Sequence, residues 1–112
     1  MTTTITIVYE SGKRVKVSAV PIADTPFYLN RSDDAPGHEY TATHYRNGIN
    51  VPFFWSDAIK CYYDVRKWYM QLPVELRKLI AAKEPNVEAV ITLLKRGKYD
   101  DKLRELAWEA QP

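Results

Sequence analysis

The chain has one cysteine, Cys61, so no internal disulfide can staple it. Its two histidines, His38 and His44, stand six residues apart, with no HExxH or CxxC pattern around them. That spacing lacks the common zinc-site signatures. There is no GxGxxG, no P-loop and no GxSxG, so the usual marks of dinucleotide binding, nucleotide hydrolysis and serine-hydrolase chemistry are missing as well. No apolar run approaches the ~18 residues of a membrane-spanning helix. The opening Met1-Thr-Thr-Thr-Ile-Thr-Ile has neither the basic start nor the apolar stretch of a secretory signal. The expected location is therefore cytoplasmic, and the sequon Asn30-Arg31-Ser32 reads as a chance match. A net charge of +2 calls for no polyanionic partner.

What is present suits one α+β domain over residues 1–112. Hydrophobic content is 46% and charged content 27%, ordinary values for a folded chain of this length. The β-rich half is expected in 1–55 and the helical half in 56–112. Residues 3–9 alternate, with Ile5, Ile7 and Tyr9 opposite Thr4, Thr6 and Val8. Residues 14–20 alternate again after the turn chemistry of Glu10-Ser-Gly-Lys13, which predicts a hairpin ended by Pro21. Between Pro21 and His38, proline, glycine and Asn30-Arg-Ser-Asp-Asp34 punctuate the chain, leaving room for one short strand or turn that drops Phe27 or Leu29 into the core. Residues 39–46 alternate and are followed by Asn47-Gly48, a strong hairpin signal; 49–54 is the returning strand, kept to an edge or cut short by Pro52. Two hairpins make an antiparallel sheet of about four strands.

From Ser56 the period becomes helical. Ser56 is the expected N-cap of a helix running to about Leu72, where Pro73 stops it. Further helices are expected over 74–83, with Leu76, Leu79 and Ile80 inward, and over 87–96. The latter is capped by Asn86, striped by Val87, Val90, Ile91 and Leu94, and closed by Gly97 as C′ residue. A last helix, capped by Asp100, carries Leu103, Leu106, Ala107 and Ala110.

Half of the aromatic residues fall between positions 53 and 69: Phe53, Phe54, Trp55, Tyr62, Tyr63, Trp68 and Tyr69. At about 100° per residue, Ala58, Cys61, Tyr62, Val65, Trp68, Tyr69 and Leu72 share one arc of roughly 120°, the expected core face. Asp57, Lys60, Asp64, Lys67 and Gln71 lie opposite. Ile59, Tyr63 and Met70 form a second apolar strip, set off by Arg66. The plainer reading packs that strip on the helices after Pro73. The alternative leaves it exposed as a partner-binding surface, with Arg66 and Lys67 setting orientation, since Tyr, Met and Arg are enriched at interfaces.

Positive charge is concentrated beside this helix: residues 57–83 hold Lys60, Arg66, Lys67, Arg77, Lys78 and Lys83 against Asp57, Asp64 and Glu75. Lys60, Arg66, Lys67, Arg77 and Lys78 interleaved with aromatic rings are therefore candidates for single-stranded nucleic acid or RNA. The helices around Gly97 suggest helix-turn-helix only superficially, because Asp100, Asp101, Glu105 and Glu109 would repel phosphate. Asp33, Asp34, His38, Glu39 and His44 are the one cluster with acid–base or metal-binding side chains. Turn chemistry and a structural histidine explain it more simply, and a Cys61–His44 nucleophile pair is weaker still because Cys61 maps to the core arc. The sequence thus reads as a non-catalytic module without metal or cofactor. It would bind a protein partner, homodimerisation included, in the manner of the small inhibitors or accessory regulators that phages and mobile elements encode.

Overall fold

The computed structural model describes residues 3–8, 11–32, 39–44, 51, 53–82 and 86–109. Four strands, β1 (Thr3–Val8), β2 (Arg14–Pro21), β3 (Phe27–Arg31) and β4 (Tyr40–His44), precede four helices, α1 (Ala58–Gln71), α2 (Val74–Ala81), α3 (Val87–Arg96) and α4 (Tyr99–Glu109). The strands pair antiparallel in the order β1-β2-β3-β4. This is the expected α+β architecture, with a different strand in third place.

The first hairpin forms as its alternation dictates, with Ile5 opposite Val17 and Ile7 opposite Val15. Gly12 takes a φ of 85°, a conformation that L side chains rarely adopt, and so supplies the turn. The third strand is β3, in the region expected to be mostly loop. Phe27 pairs with His44 and Leu29 with Ala42. Of the returning strand expected at 49–54, residues 49, 50 and 52 lie outside the described residues; the described chain beside β4 makes one bridge, Tyr40 with Trp55, and a bond from the Val51 N–H to the Ala42 carbonyl. Between those two contacts β4 advances by fewer residues than its neighbour does. The Thr41 hydroxyl donates to the Phe53 carbonyl at 2.9 Å. The turn expected at Asn47-Gly48 lies outside the described residues.

Asp57, not Ser56, caps α1: its carboxylate accepts from the N–H groups of Ile59 and Lys60 at 2.8 and 3.2 Å. Ser56 stands one residue too early for that reach. Asn86 caps α3 as expected. Gly97 remains right-handed at its C-cap while Lys98 takes the left-handed φ of 56°. A Cβ at 97 would run into the Tyr99 ring, which accounts for glycine there without positive φ. Asp100 consequently sits inside the first turn of α4 rather than capping it.

The core runs from Ile22 and Phe27 through Trp55 and the inward face of α1 to Leu103 and Ala107. Buried polar atoms of its larger side chains fasten the elements to one another. The Trp68 indole donates to the Tyr99 carbonyl (2.7 Å), the Tyr69 hydroxyl to the Arg77 carbonyl (2.9 Å), and the His44 Nε2 lies 2.8 Å from the Ile80 carbonyl. Phe27 meets the rings of His44, Trp68 and Tyr69 at 5.9, 6.4 and 6.1 Å. Asp64, placed by helical phasing on the polar side, is buried instead. One carboxylate oxygen accepts from the Trp55 indole at 3.0 Å and the other from Lys60 at 2.9 Å.

Removing the carboxylate leaves the fully buried Trp55 N–H without its acceptor. Asp64→Ala is expected to cost about 1–3 kcal/mol in urea unfolding. Lys67→Ala, on an exposed face, should stay within about 0.5 kcal/mol. Equal midpoints for the two variants would refute this account of Asp64.

Candidate functional site

Helical phasing separates α1 into two faces. Cys61, Val65, Trp68 and Tyr69 are buried with Leu72 just beyond, as the core arc requires. The second strip is open to solvent, so it does not pack on the later helices: Ile59 is 69% exposed, Tyr63 61% and Met70 42%. These residues follow one line along the helix at i, i+4 and i+11, about 16 Å at 1.5 Å per residue. Lys67 lies exposed between Tyr63 and Met70.

The middle of α1 is held on the β2–β3 connection. The Tyr62 hydroxyl accepts from the Ala23 N–H at 3.1 Å, and Arg66 pairs with Asp24 at 2.9 Å. Asp24 itself takes a φ of 66°. Tyr62 packs edge-on against Tyr63 with ring centroids 5.2 Å apart, which limits where the exposed ring can go. Arg66 and Asp24 remain substantially exposed, and a pair of that kind contributes about 0–1 kcal/mol.

Three of the five cations considered for nucleic acid have partners within the chain. Lys60 is paired with buried Asp64 and Arg66 with Asp24, while the Arg77 Nε donates to the Leu72 carbonyl at 3.2 Å. Among the described residues, no ion pair involves Lys67 or Lys78, and both are exposed. Of the acid–base cluster, only Glu39 and His44 are among the described residues. Glu39 pairs with Arg31 at 2.6 Å, His44 is buried against Phe27 and the end of α2, and Asp33, Asp34 and His38 lie outside the described residues. No group of three or more metal-ligating side chains exists among the described residues.

The apolar stripe of α3 is rotated from its expected face. Val90, Leu93 and Leu94 pack on the core, whereas Val87 and Ile91 face outward. Sequence periodicity counts apolar residues on both flanks of the true stripe and so places it one residue off. Comparison with protein-family models, with curated sequences and with solved structures finds no match.

Cys61 is sealed from solvent. Burial raises its thiol far above the ordinary value of 9.0, and the nearby Asp64 carboxylate pushes the same way. The folded chain therefore holds this proton more tightly than the unfolded chain does. The resulting stability is present below pH about 9 and lost above it, by about 1.4 kcal/mol per pH unit. Cys61→Ala removes this term. Urea midpoints of wild type and variant are expected to converge as pH rises from 8 to 10, and a constant gap would refute the argument.

Proposed function

We propose that this chain is a small, non-catalytic protein-binding module that docks through the outer face of α1. The observation that carries the reading is the exposed line of Ile59, Tyr63 and Met70 on a helix whose opposite face is already fully used by the core. Burying such side chains on association contributes about 1.5–3 kcal/mol each. A partner with an apolar groove accepts a helix stripe of this spacing. Lys67, and Arg66 once exchanged from Asp24, set the orientation by pairing with carboxylates at the groove's rim. An inhibitor or accessory regulator works in this way, by occupying a surface on its target.

Single-stranded nucleic acid is the weaker reading, because Lys60, Arg66 and Arg77 are already engaged within the chain. Its signature is a steep fall of affinity with salt.

The test compares wild type with the triple variant Ile59→Ala, Tyr63→Ala and Met70→Ala. All three positions are exposed, so each change should cost about 0.5 kcal/mol or less in unfolding. A partner identified by affinity capture from the native host and then purified should bind wild type in calorimetry and lose at least tenfold in affinity for the variant. Undiminished binding would refute the site. Unfolding of the variant would show the strip to be structural.

A further inference from the structure

The sheet has two edges, and they are treated differently. Outside β4, the chain returns through Val51 and Trp55. Tyr40 and Trp55 exchange backbone bonds of 2.9 and 2.8 Å, and the Val51 N–H reaches the Ala42 carbonyl. Among the described residues, nothing covers the outer side of β1 in this way. Its ladder runs to β2 alone, and among the described residues no hydrogen bond joins Thr3–Val8 to anything else.

Natural edge strands are protected by lysine, proline, bulges or brevity. β1 has none of the first three: Thr-Thr-Ile-Thr-Ile-Val over six residues, without a charge, a proline or a glycine. Its pairing with β2 is continuous from Thr3–Ala19 to Val8–Arg14, with no bulge to turn the edge away. We infer that the chain forms a homodimer by antiparallel pairing of β1 with β1 of a second copy, giving one continuous eight-stranded sheet.

Three features favour a second copy as the occupant. The first is face matching. Residues directly opposite in an antiparallel pair share a face, and β1 has Ile5 and Ile7 buried on one side and Thr4, Thr6 and Val8 on the other. Two central registers preserve that division, one with Thr6 opposite Thr6 of the other copy and one with Ile5 opposite Ile5. Both join threonine or aliphatic residues, pairs that stabilise a sheet. The second is charge. The nearest cations, Arg14 and Lys16, stand on β2, opposite Val8 and Thr6. Across the dimer they lie about three strand spacings from their counterparts, roughly 14 Å, beyond the ~8 Å screening length at physiological salt. The third is closure. Pairing of β1 with β1 about a two-fold axis uses the same edge of both copies, so it ends at two subunits rather than continuing into a fibre.

The full chain is tested by sedimentation velocity across a concentration series, beside the double variant Thr4→Glu, Thr6→Glu. In the monomer Thr4 is exposed and Thr6 faces Lys16, so the new carboxylates are tolerated there. In either dimer register they meet like charge. Wild type should pass from monomer to dimer with rising concentration, and the variant should remain monomeric at the highest soluble concentration with an unchanged circular dichroism spectrum. A wild type that stays monomeric throughout would overturn the inference. So would a dimer that survives the glutamate variant but dissociates with the Ile59, Tyr63, Met70 triple alanine; that outcome would assign self-association to α1 instead.

Discussion

The bond from the Trp55 indole to Asp64 fixes how the helical layer sits on the sheet. Trp55 is fully buried and tied by its backbone to Tyr40 at the start of β4. Asp64 stands near the middle of α1, so one hydrogen bond sets the rotation of that helix about its axis. Burying a carboxylate is costly unless its oxygens are satisfied. Here one takes the indole N–H and the other the Lys60 ammonium. Any other rotation strands both the carboxylate and the indole, and the penalty for that makes the orientation specific.

The remaining features follow from that rotation. With Asp64 turned inward, Cys61, Val65 and Trp68 face Phe27 and the core, and Tyr62 reaches the β2–β3 connection. Ile59, Tyr63 and Met70 are then left on the outer side. The bonds from Trp68 to Tyr99 and from Tyr69 to Arg77 carry the same alignment onward to α4 and α2. The exposed strip is thus a consequence of how the core is keyed, not of a helix that is loosely held.

Much of this fold can be read from residue order alone, and the failures have identifiable physics. Alternation in 3–8 and 14–20 finds the first hairpin, because one face is apolar and the period is unambiguous. The core arc of α1 is equally legible. β3 is concealed by its neighbours: Pro26 and the polar run from Asn30 look like a loop, yet Asn30 is buried and accepts from the Thr43 hydroxyl at 2.6 Å. Asp64 is misplaced because a charged residue on a helical wheel is assigned to solvent. The available signal was a buried Trp needing an acceptor, with Lys60 one turn before Asp64 to share its charge. The strip residues were legible as a strip, whereas their exposure depends on where α2 and α3 pack, which is a tertiary fact.

The two surfaces do not compete for space. α1 packs on β3 and β4, while β1 lies at the far edge of the sheet with β2 between it and β3. Pairing at β1 would therefore leave the Ile59–Met70 strip of each copy uncovered, and the dimer would present two of them. The consequence is energetic. A target that is itself a dimer, or one with repeated grooves, would meet the second strip at high effective concentration, so a modest single-site affinity is multiplied by avidity. A stripe of three exposed side chains is too small for tight one-to-one binding, since association must first offset the loss of translational and rotational freedom. Two such stripes, one on each α1 of a β1-paired dimer, would share that loss, and the spacing between them would select targets by geometry as well as by chemistry.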